Sequence, residues 1–275
     1  MNAGTIPARQ ILRCVRQDYS EQPYFLYLPE VPAPGSPLLV AVHGLERNPH
    51  ALAAHLADAC EVRGVTLVAP LFGAAFADYQ RLGRAGHGPR ADLALEAILD
   101  QVAEQTRIPT GAIHLFGHGA GAQFAHRYVM AYPHRVAAAV VVAAGWYTLP
   151  NPRRPFPYGI RRIRSLPDLR PDADEFLRVP MTAIAGTVDA GLGSPRQTQR
   201  ALRQGRTRAQ RAEHWAEAMR AAAERRALPP LTTVETVDAV DNGLSSLFGE
   251  GRLAERVFAA LFGGHPARTR DGVHG

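Results

Sequence analysis

The chain has 275 residues, a hydrophobic content of 46% and a formal charge of +6 at pH 7, which together predict a protein with one globular core. All 31 basic residues are arginines, which we interpret as a compositional bias. No helix-turn-helix, RNA-binding or zinc-finger signature accompanies them, so we expect no nucleic-acid partner. The longest apolar run, Val136 to Ala144, is far shorter than the roughly 20 residues of a membrane span, so we expect no membrane partner.

The N-terminal segment lacks a basic start followed by an apolar stretch. We therefore expect a cytoplasmic protein, unless a leader has been removed. The two cysteines, Cys14 and Cys60, fall in a predicted strand and a predicted helix, and they form neither a disulfide framework nor a metal-ligand cluster. The sequence predicts no metal site and no cofactor.

Strand and helix patterns alternate along the chain. The predicted strands are Ile11 to Val15, Tyr24 to Leu28, Leu38 to Val42, Val65 to Ala69, Ala112 to Phe116, Val136 to Ala143, Met181 to Ala185 and Thr232 to Val237. The predicted helices begin at Asn48-Pro49, cover Ala91 to Ala103, run through Phe124 and Val129, pass through Trp215 and Met219, and cover Leu253 to Leu261. This alternation predicts an α/β fold with a mostly parallel sheet flanked by helices.

We expect residues 1–275 to form a single domain with a flexible tail at 264–275. A segment rich in proline and arginine, at about 145–178, is predicted to be an insertion above the carboxyl ends of the strands. Further along, a group of arginines falls in a predicted helical region, and we expect it to form a solvated face, with phosphate binding as a minor alternative. Its members are Arg196, Arg200, Arg203, Arg206, Arg208 and Arg211.

The turn Gly117-His118-Gly119-Ala120-Gly121 lies between a predicted strand and a predicted helix. This spacing is that of the G-x-S-x-G nucleophile elbow of serine hydrolases, with Gly119 at the position of the serine. In such an elbow the central residue has a strained backbone and its side chain projects into a pocket. Gly119 has no side chain that could attack a substrate.

A second loop supports this interpretation, because His43-Gly44-Leu45 follows the predicted strand Leu38 to Val42. In esterases such a loop supplies one backbone N–H of the oxyanion hole, and the residue after the nucleophile supplies the other. The corresponding donors are the amides of Leu45 and Ala120. Both are main-chain groups, so replacement of a side chain does not remove them.

Over most of its length the chain resembles α/β-hydrolase-fold esterases of the polyhydroxyalkanoate-depolymerase-like and feruloyl-esterase-like group. The segments that carry the resemblance are His43-Gly44 with Arg47-Asn48, Gly121-Ala122-Gln123-Phe124-Ala125-His126-Arg127, Ala144-Gly145-Trp146-Tyr147-Thr148-Leu149-Pro150, Phe156-Pro157-Tyr158-Gly159 and Gln204-Gly205-Arg206-Thr207-Arg208.

The resemblance implies positions for the rest of a catalytic triad. Asp189 matches the acid, although a carboxylate there can also simply cap backbone N–H groups. The catalytic histidine corresponds to Asn242. Triad members act as a unit. Two of the three are therefore predicted to be missing.

We also expect a ligand pocket above the strands. The aromatic side chains of the insertion are predicted either to line this pocket or to pack the insertion onto the fold, and two histidines are further candidates for it. These residues are Trp146, Tyr147, Phe156 and Tyr158, with His43 and His118. Loss of two catalytic side chains enlarges such a pocket, and the surviving amide donors could hold a carbonyl or carboxylate group.

Three interpretations remain open at this stage. The favoured one is a pseudo-hydrolase that binds a small ligand or acts as a non-catalytic partner. The second is a non-hydrolytic enzyme, such as a lyase, isomerase or cyclase, that uses His43, His118 or Asp189 as acid or base. The third is a hydrolase with relocated groups, for which Ser194, Ser245 and Ser246 are candidates, although none lies on a recognisable elbow. The sequence identifies neither the ligand nor the oligomeric state.

Overall fold

A computed structural model describes residues 6–17, 22–84, 87–161, 163, 166–188, 199–239, 241–249 and 252–263. Asp189, Ser194, Arg196 and the predicted tail at 264–275 lie outside the described residues.

Eight strands form one sheet in the order β1-β2-β4-β3-β5-β6-β7-β8. Their bounds are β1 Ile11–Val15, β2 Pro23–Tyr27, β3 Leu38–Val42, β4 Thr66–Pro70, β5 Ile113–His118, β6 Val136–Val142, β7 Met181–Gly186 and β8 Thr232–Val237. Strand β2 pairs antiparallel with both β1 and β4. Every other pairing in the sheet is parallel. The predicted α/β fold with a mostly parallel sheet is confirmed.

Helices cover both faces of this sheet. Their bounds are α1 Pro49–Arg63, α2 Ala91–Thr106, α3 Ala120–Ala131, α4 Ala173–Phe176, α5 Gln199–Leu202, α6 Arg208–Glu224, α7 Leu244–Gly249 and α8 Leu253–Phe262. One apolar core joins the sheet to α2, α3 and α6, and a second joins its other face to α1 and α8. Because β3 and β4 are buried on both faces, their sequences are almost entirely apolar instead of alternating between polar and apolar residues. No helix of the described segments is long and apolar enough to cross a membrane.

Two predicted boundaries differ in a way that matters for the site. Strand β5 was expected to end at Phe116, but its pairing with β6 continues to His118, opposite Val142. The predicted arginine-rich helix is interrupted between α5 and α6. Gly205 has φ +147°, and Thr207 starts α6 with a capping box in which its side chain accepts from the Gln210 amide.

The parallel strands place their carboxyl ends along one edge of the sheet, which we call the carboxyl edge. The loops after β3, β5 and β6 therefore start beside one another. The segment predicted to be an insertion leaves this edge after β6. It is attached to the fold by Thr148, whose amide donates to His126 Nε2 over 2.9 Å and whose hydroxyl accepts from Arg127 Nε over 2.8 Å.

Candidate functional site

The turn between β5 and α3 holds Gly119 at φ 57° and ψ −109°. Its amide donates to the carbonyl of Val142 over 2.8 Å, so the turn is held against the end of β6. A side chain on an L-residue is strained at this positive φ. A Cβ atom at Gly119 would nevertheless meet only Gly44 Cα, at 3.8 Å, so there is open space where the side chain of an elbow residue would begin.

The flanking glycines of the turn have no such space. A Cβ atom at Gly117 would lie 2.3 Å from the carbonyl oxygen of Gly121, and one at Gly121 would lie 2.0 Å from that of Val42. Strand β5, helix α3 and strand β3 therefore approach so closely that these positions exclude any side chain. The three glycines serve different purposes: two permit backbone contact, and Gly119 only accommodates a positive φ.

Hydrogen bonds to buried residues fix the main-chain orientation of the loop after β3. The Phe72 amide donates to His43 Nε2 over 3.0 Å, so the ring hydrogen is on Nδ1, which lies 2.7 Å from the Gly44 oxygen. Tyr79 also donates its hydroxyl to that oxygen, over 2.8 Å. Burial lowers the pKa of His43, which keeps the ring neutral. Since the Gly44–Leu45 peptide is trans, the Leu45 N–H points away from these groups.

Leu45 and Ala120 line one cavity of about 360 Å³, which we call the elbow cavity. Ala120 is the first residue of α3, so its amide has no partner within the helix. Within the part of the chain that the structure describes, neither amide donates to a protein acceptor. Two N–H groups are thus available beside Gly119 for an oxygen of a ligand.

The elbow cavity is bounded by His118, Gly119 and Gly145 in addition to these two residues. Its remaining lining is mostly polar or aromatic and consists of Gly44, Glu46, Gln80, Arg81, Gln123, Ala143, Trp146, Arg208 and Arg211. Of the six side chains predicted to line a pocket, it includes His118 and Trp146. His43, Tyr147, Phe156 and Tyr158 do not line it.

The four excluded side chains have structural contacts instead. His43 is fully buried beneath its loop, and Tyr147 is fully buried against Trp215, with ring centroids 4.8 Å apart. Tyr158 stacks on Trp146 at 4.5 Å, and Phe156 lies 5.9 Å from the guanidinium of Arg127. Tyr147 and Phe156 therefore pack the insertion onto the fold, as the second of the two expectations had it, whereas Tyr158 stacks on Trp146 within the insertion.

Asn242, at the position that the resemblance assigns to the histidine, connects two loops at the carboxyl edge. Its side-chain oxygen accepts from the Gly186 amide over 2.9 Å, and its side-chain nitrogen donates to the Val188 carbonyl over 3.1 Å. Its own carbonyl accepts from His118 Nε2 over 3.0 Å. The side chain is thus bound to the end of β7, and an amide cannot take a proton from a nucleophile. Asp189 follows Val188 but lies outside the described residues.

The side chains of His118 and Glu46 lie close to each other beside Gly119. The Asn242 carbonyl can only accept, so Nε2 of His118 carries a hydrogen, and its Nδ1 lies 3.9 Å from Glu46 Oε1. That oxygen also accepts from the Gly44 amide over 2.9 Å. Burial on its own would raise the pKa of Glu46, but His118 and the nearby backbone N–H groups outweigh it and lower the pKa to about 2. Glu46 is therefore ionised at neutral pH.

Sequence reasoning missed six polar residues of the lining: Glu46, Gln80, Arg81, Gln123, Arg208 and Arg211. The expectation of a solvated arginine face is wrong for Arg211, which is only 1% exposed because the first turn of α6 packs against the preceding loop. Its Nη1 donates to the carbonyls of Gly205 and Arg206, each over 3.0 Å. The available signal was the segment Gln204 to Arg208, which carried part of the family resemblance.

The serines considered as relocated nucleophiles are not part of this site. Ser245 is exposed on α7, and neither it nor Ser246 lines the elbow cavity. Ser194 lies outside the described residues. Among the residues that the structure covers, no cluster of three His, Cys, Asp or Glu side chains could hold a metal ion.

The chain has the α/β-hydrolase fold, as comparison with solved structures shows. It matches poly(aspartic acid) hydrolase-1 from Sphingomonas sp. KT-1 with a TM-score of 0.73 and 22% identity, over 88% of this chain and 96% of that one. A poly(3-hydroxybutyrate) depolymerase from Bordetella parapertussis matches with a TM-score of 0.71 and 25% identity, over 94% and 92%. An S-formylglutathione hydrolase from Agrobacterium tumefaciens gives 0.58 and 15%, over 91% and 94%. No family model and no curated protein sequence matches the chain.

Proposed function

We propose that this protein is a degenerate α/β-hydrolase that binds a small carbonyl- or carboxylate-containing ligand without serine-dependent turnover. One observation carries the proposal. At the turn between β5 and α3, Gly119 has a positive φ and open space above it, beside two amides without protein acceptors. The backbone suits an oxygen ligand, and the nucleophile is absent.

The chemistry follows from what these groups can do. The N–H groups of Leu45 and Ala120 can donate to a carbonyl or carboxylate oxygen, and this interaction needs no covalent step. Hydrolysis through an acyl intermediate needs a nucleophile and a base that activates it. Gly119 offers no nucleophile, and Asn242 is hydrogen-bonded to Gly186 and Val188 through an amide that is not a base. Binding without turnover is the consequence.

A second candidate function is a non-hydrolytic enzyme of the lyase, isomerase or cyclase type. The observation that favours it is His118, which lines the elbow cavity while its Nδ1 is buried without a hydrogen-bond partner in the described structure. The carboxylate of Glu46 lies 3.9 Å from this nitrogen. Such a pair can give and take a proton beside a bound carbonyl.

The proposal is tested by measuring turnover and binding on the same protein. Short p-nitrophenyl esters should be hydrolysed no faster than in buffer, while methyl esters and short carboxylates should show binding by ligand-observed NMR. Ala120→Leu places a larger side chain in the cavity lining and should abolish the binding signal. Ala131→Leu, at the other end of the same helix, is the matched control and should retain it.

Two results would contradict the proposal. Hydrolysis above background by the wild-type protein would show that a nucleophile is present. Binding that survives Ala120→Leu unchanged would place the ligand outside the elbow cavity. Exchange of an α-proton of a bound ketone with solvent deuterium, lost in His118→Gln, would instead support the second candidate function.

A further inference from the structure

Helix α3 carries a polar side chain one turn after its first residue. Gln123 follows Ala120 by three positions, so the two residues lie on the same face of the helix. Helical side chains project back toward the helix N-terminus, which directs the Gln123 side chain toward the turn at Gly119. Gln123 and Ala120 both line the elbow cavity. The side-chain amide of Gln123 therefore lies on the same side of the cavity as the main-chain N–H of Ala120.

A buried guanidinium determines which way the amide of Gln123 faces. Gln123 Oε1 accepts from Arg127 Nη1 over 3.3 Å, and the main-chain carbonyl of Gln123 accepts from the same nitrogen over 3.2 Å. Arg127 is itself held in place, because its Nε donates to the Thr148 hydroxyl over 2.8 Å. A guanidinium has only donors, so the reversed amide would place its NH₂ group against another donor. Arg127 thus holds Oε1, and Nε2 of Gln123 faces the other way.

The amide nitrogen of Gln123 lies beside Gly145, another residue of the lining. A Cβ atom at Gly145 would lie 2.9 Å from Gln123 Nε2. Gln123 is 8% exposed, and none of its hydrogen bonds within the described residues involves Nε2. Unlike Nη2 of Arg127, this nitrogen is not sealed from solvent. Nε2 of Gln123 is therefore an unpaired donor with access to the cavity.

Three donors without protein acceptors in the described structure therefore line this cavity. Two are the main-chain N–H groups of Leu45 and Ala120, and the third is the side-chain NH₂ group of Gln123. A ketone offers one oxygen, which the two main-chain groups can bind. With such a ligand Gln123 would lose contact with water and gain no acceptor, which weakens binding. A ligand with a second oxygen satisfies all three donors.

We propose that Gln123 determines the ligand specificity of the elbow cavity. Its Nε2 donates to the second oxygen of a carboxylate or ester, whose first oxygen binds the amides of Leu45 and Ala120. This inference rests on the proposed function and narrows its ligand class to acyl groups with two oxygens. Carboxylates and esters share this chemistry, and the experiment below distinguishes them. Ketones of the same shape are the ligands that the cavity discriminates against.

The test uses two pairs of probes that differ in the second oxygen. Diethyl ketone has a methylene group in place of the ester oxygen of methyl propionate, and ethyl methyl ketone has a methyl group in place of one carboxylate oxygen of propionate. Dissociation constants for the wild-type protein are measured by ligand-observed NMR at constant ionic strength. We expect the two-oxygen member of at least one pair to bind about fivefold more tightly, which corresponds to one net hydrogen bond. The pair that shows the preference identifies the ligand as an ester or a carboxylate.

Gln123→Glu removes the donor and keeps the shape of the side chain. Its carboxylate can accept from Arg127 but cannot donate to a ligand. The preference for the two-oxygen probe should disappear, while the ketones should bind as they do to wild type. Gln199→Glu is the matched control, because Gln199 is exposed, does not line the cavity and undergoes the same chemical change. It should retain the preference, and thermal unfolding checks that both variants are folded.

Gly145→Ala displaces the amide without changing its chemistry. The new Cβ atom would lie 2.9 Å from Gln123 Nε2, so the amide must shift and the preference should fall. Gly73→Ala is the control, because its Cβ atom would meet nothing within 4 Å and Gly73 lies outside the lining. A preference that Gly145→Ala leaves unchanged would place the second oxygen away from Gln123 and overturn the inference.

The outcomes separate this inference from the proposed function. Equal binding within both pairs by the wild-type protein would overturn the inference and leave the proposed function standing. A preference that survives Gln123→Glu, or that is lost equally in Gln199→Glu, would also overturn it. Hydrolysis of methyl propionate with a preserved preference would overturn the proposed function alone. Binding of none of the four probes would contradict both.

Discussion

The turn at Gly119 and the loop at Asn242, which the family resemblance assigns to the nucleophile and the histidine of a triad, differ in how much space they leave and in what they bind. At Gly119 the backbone has a positive φ, the space for a side chain is open, and two amides nearby have no protein acceptor. At Asn242 the side chain fills its position and forms two hydrogen bonds to the end of β7. One position is empty, and the other serves the stability of the fold.

Different contacts hold these two positions in place. The backbone of the turn is fixed by the contacts of Gly117 and Gly121 with neighbouring strands and helices, so it persists whatever stands between them. At Asn242 the observed contacts are the side-chain hydrogen bonds to the Gly186 amide and the Val188 carbonyl. We therefore expect substitutions at the turn to act through geometry and substitutions at Asn242 to act through lost hydrogen bonds.

The largest effect is expected for Gly121→Ala. The new Cβ atom would lie 2.0 Å from the Val42 carbonyl oxygen, and neither backbone can move without disrupting the sheet. The free energy of unfolding should fall by at least about 3 kcal/mol, or the protein should fail to fold. Gly111→Ala, where a Cβ atom meets nothing within 4 Å, should be neutral in urea unfolding. A Gly121→Ala protein within about 1 kcal/mol of wild type would contradict the close contact.

Asn242→Ala is expected to have the next largest effect. It leaves the buried Gly186 amide without its acceptor and the Val188 carbonyl without its donor. The free energy of unfolding should fall by about 2–3 kcal/mol, because a buried polar group that has no partner bears the full cost of its desolvation. Ser245→Ala, at an exposed site on the neighbouring helix, is the control for chemical denaturation. If both variants unfold at the wild-type midpoint, then Asn242 has no structural role.

Gly119→Ser should destabilise less, since its side chain has room and only the backbone is strained. A loss toward the lower end of about 1–3 kcal/mol is expected for a residue other than glycine in this strained conformation. Gly249→Ser is the control, because it introduces the same side chain in open space at a residue without a positive φ. Comparing the two variants separates the effect of backbone strain from the effect of adding a serine side chain. A melting temperature equal to or above that of wild type would show that the turn is not a strained elbow.

The smallest effect concerns Glu46 and acid. Its pKa in the folded protein, about 2, lies below its usual value, so its contribution to stability is present above the usual value and is lost as the pH falls toward 2. In the Glu46→Gln variant, the free energy of unfolding should therefore fall less steeply than in wild type between about pH 4.5 and 2. Because the side chain is 46% exposed, solvent screens the effect and it should be small. Glu217→Gln, on the exposed face of α6, is the comparison. Identical acid profiles for Glu46→Gln and wild type would contradict the interaction with His118.

Much of the framework was predictable from local pattern. The bounds of β1, β3 and β8 were predicted correctly, and the Asn48 cap of α1 is confirmed because its side chain accepts from the Ala51 amide. These features depend on neighbouring residues in the chain. The pocket lining does not depend on neighbouring residues in the chain. An aromatic residue such as Tyr147 can either line the pocket or pack the insertion onto the fold, and periodicity does not distinguish the two.

The arginines show the same limit more clearly. Arg208 and Arg211 have a sequence spacing typical of a solvated helix face, yet Gly205 breaks the helix and the new N-terminus turns them toward the cavity. The pattern of charges in the sequence does not predict which residues become buried where a helix is broken. The segment around Gly205 was recognisable only through its resemblance to a family.

We propose that the elbow and its amides persist in this protein while the nucleophile and the base do not. Reaction with a fluorophosphonate probe tests this most directly, in wild type, Gly119→Ser, Asn242→His and the double variant, each shown to be folded. Because triad members act as a unit, we predict no labelling of wild type or Asn242→His, little of Gly119→Ser, and labelling at position 119 in the double variant. Stoichiometric labelling of the wild-type protein at any serine, or a folded double variant that does not react, would contradict the claim.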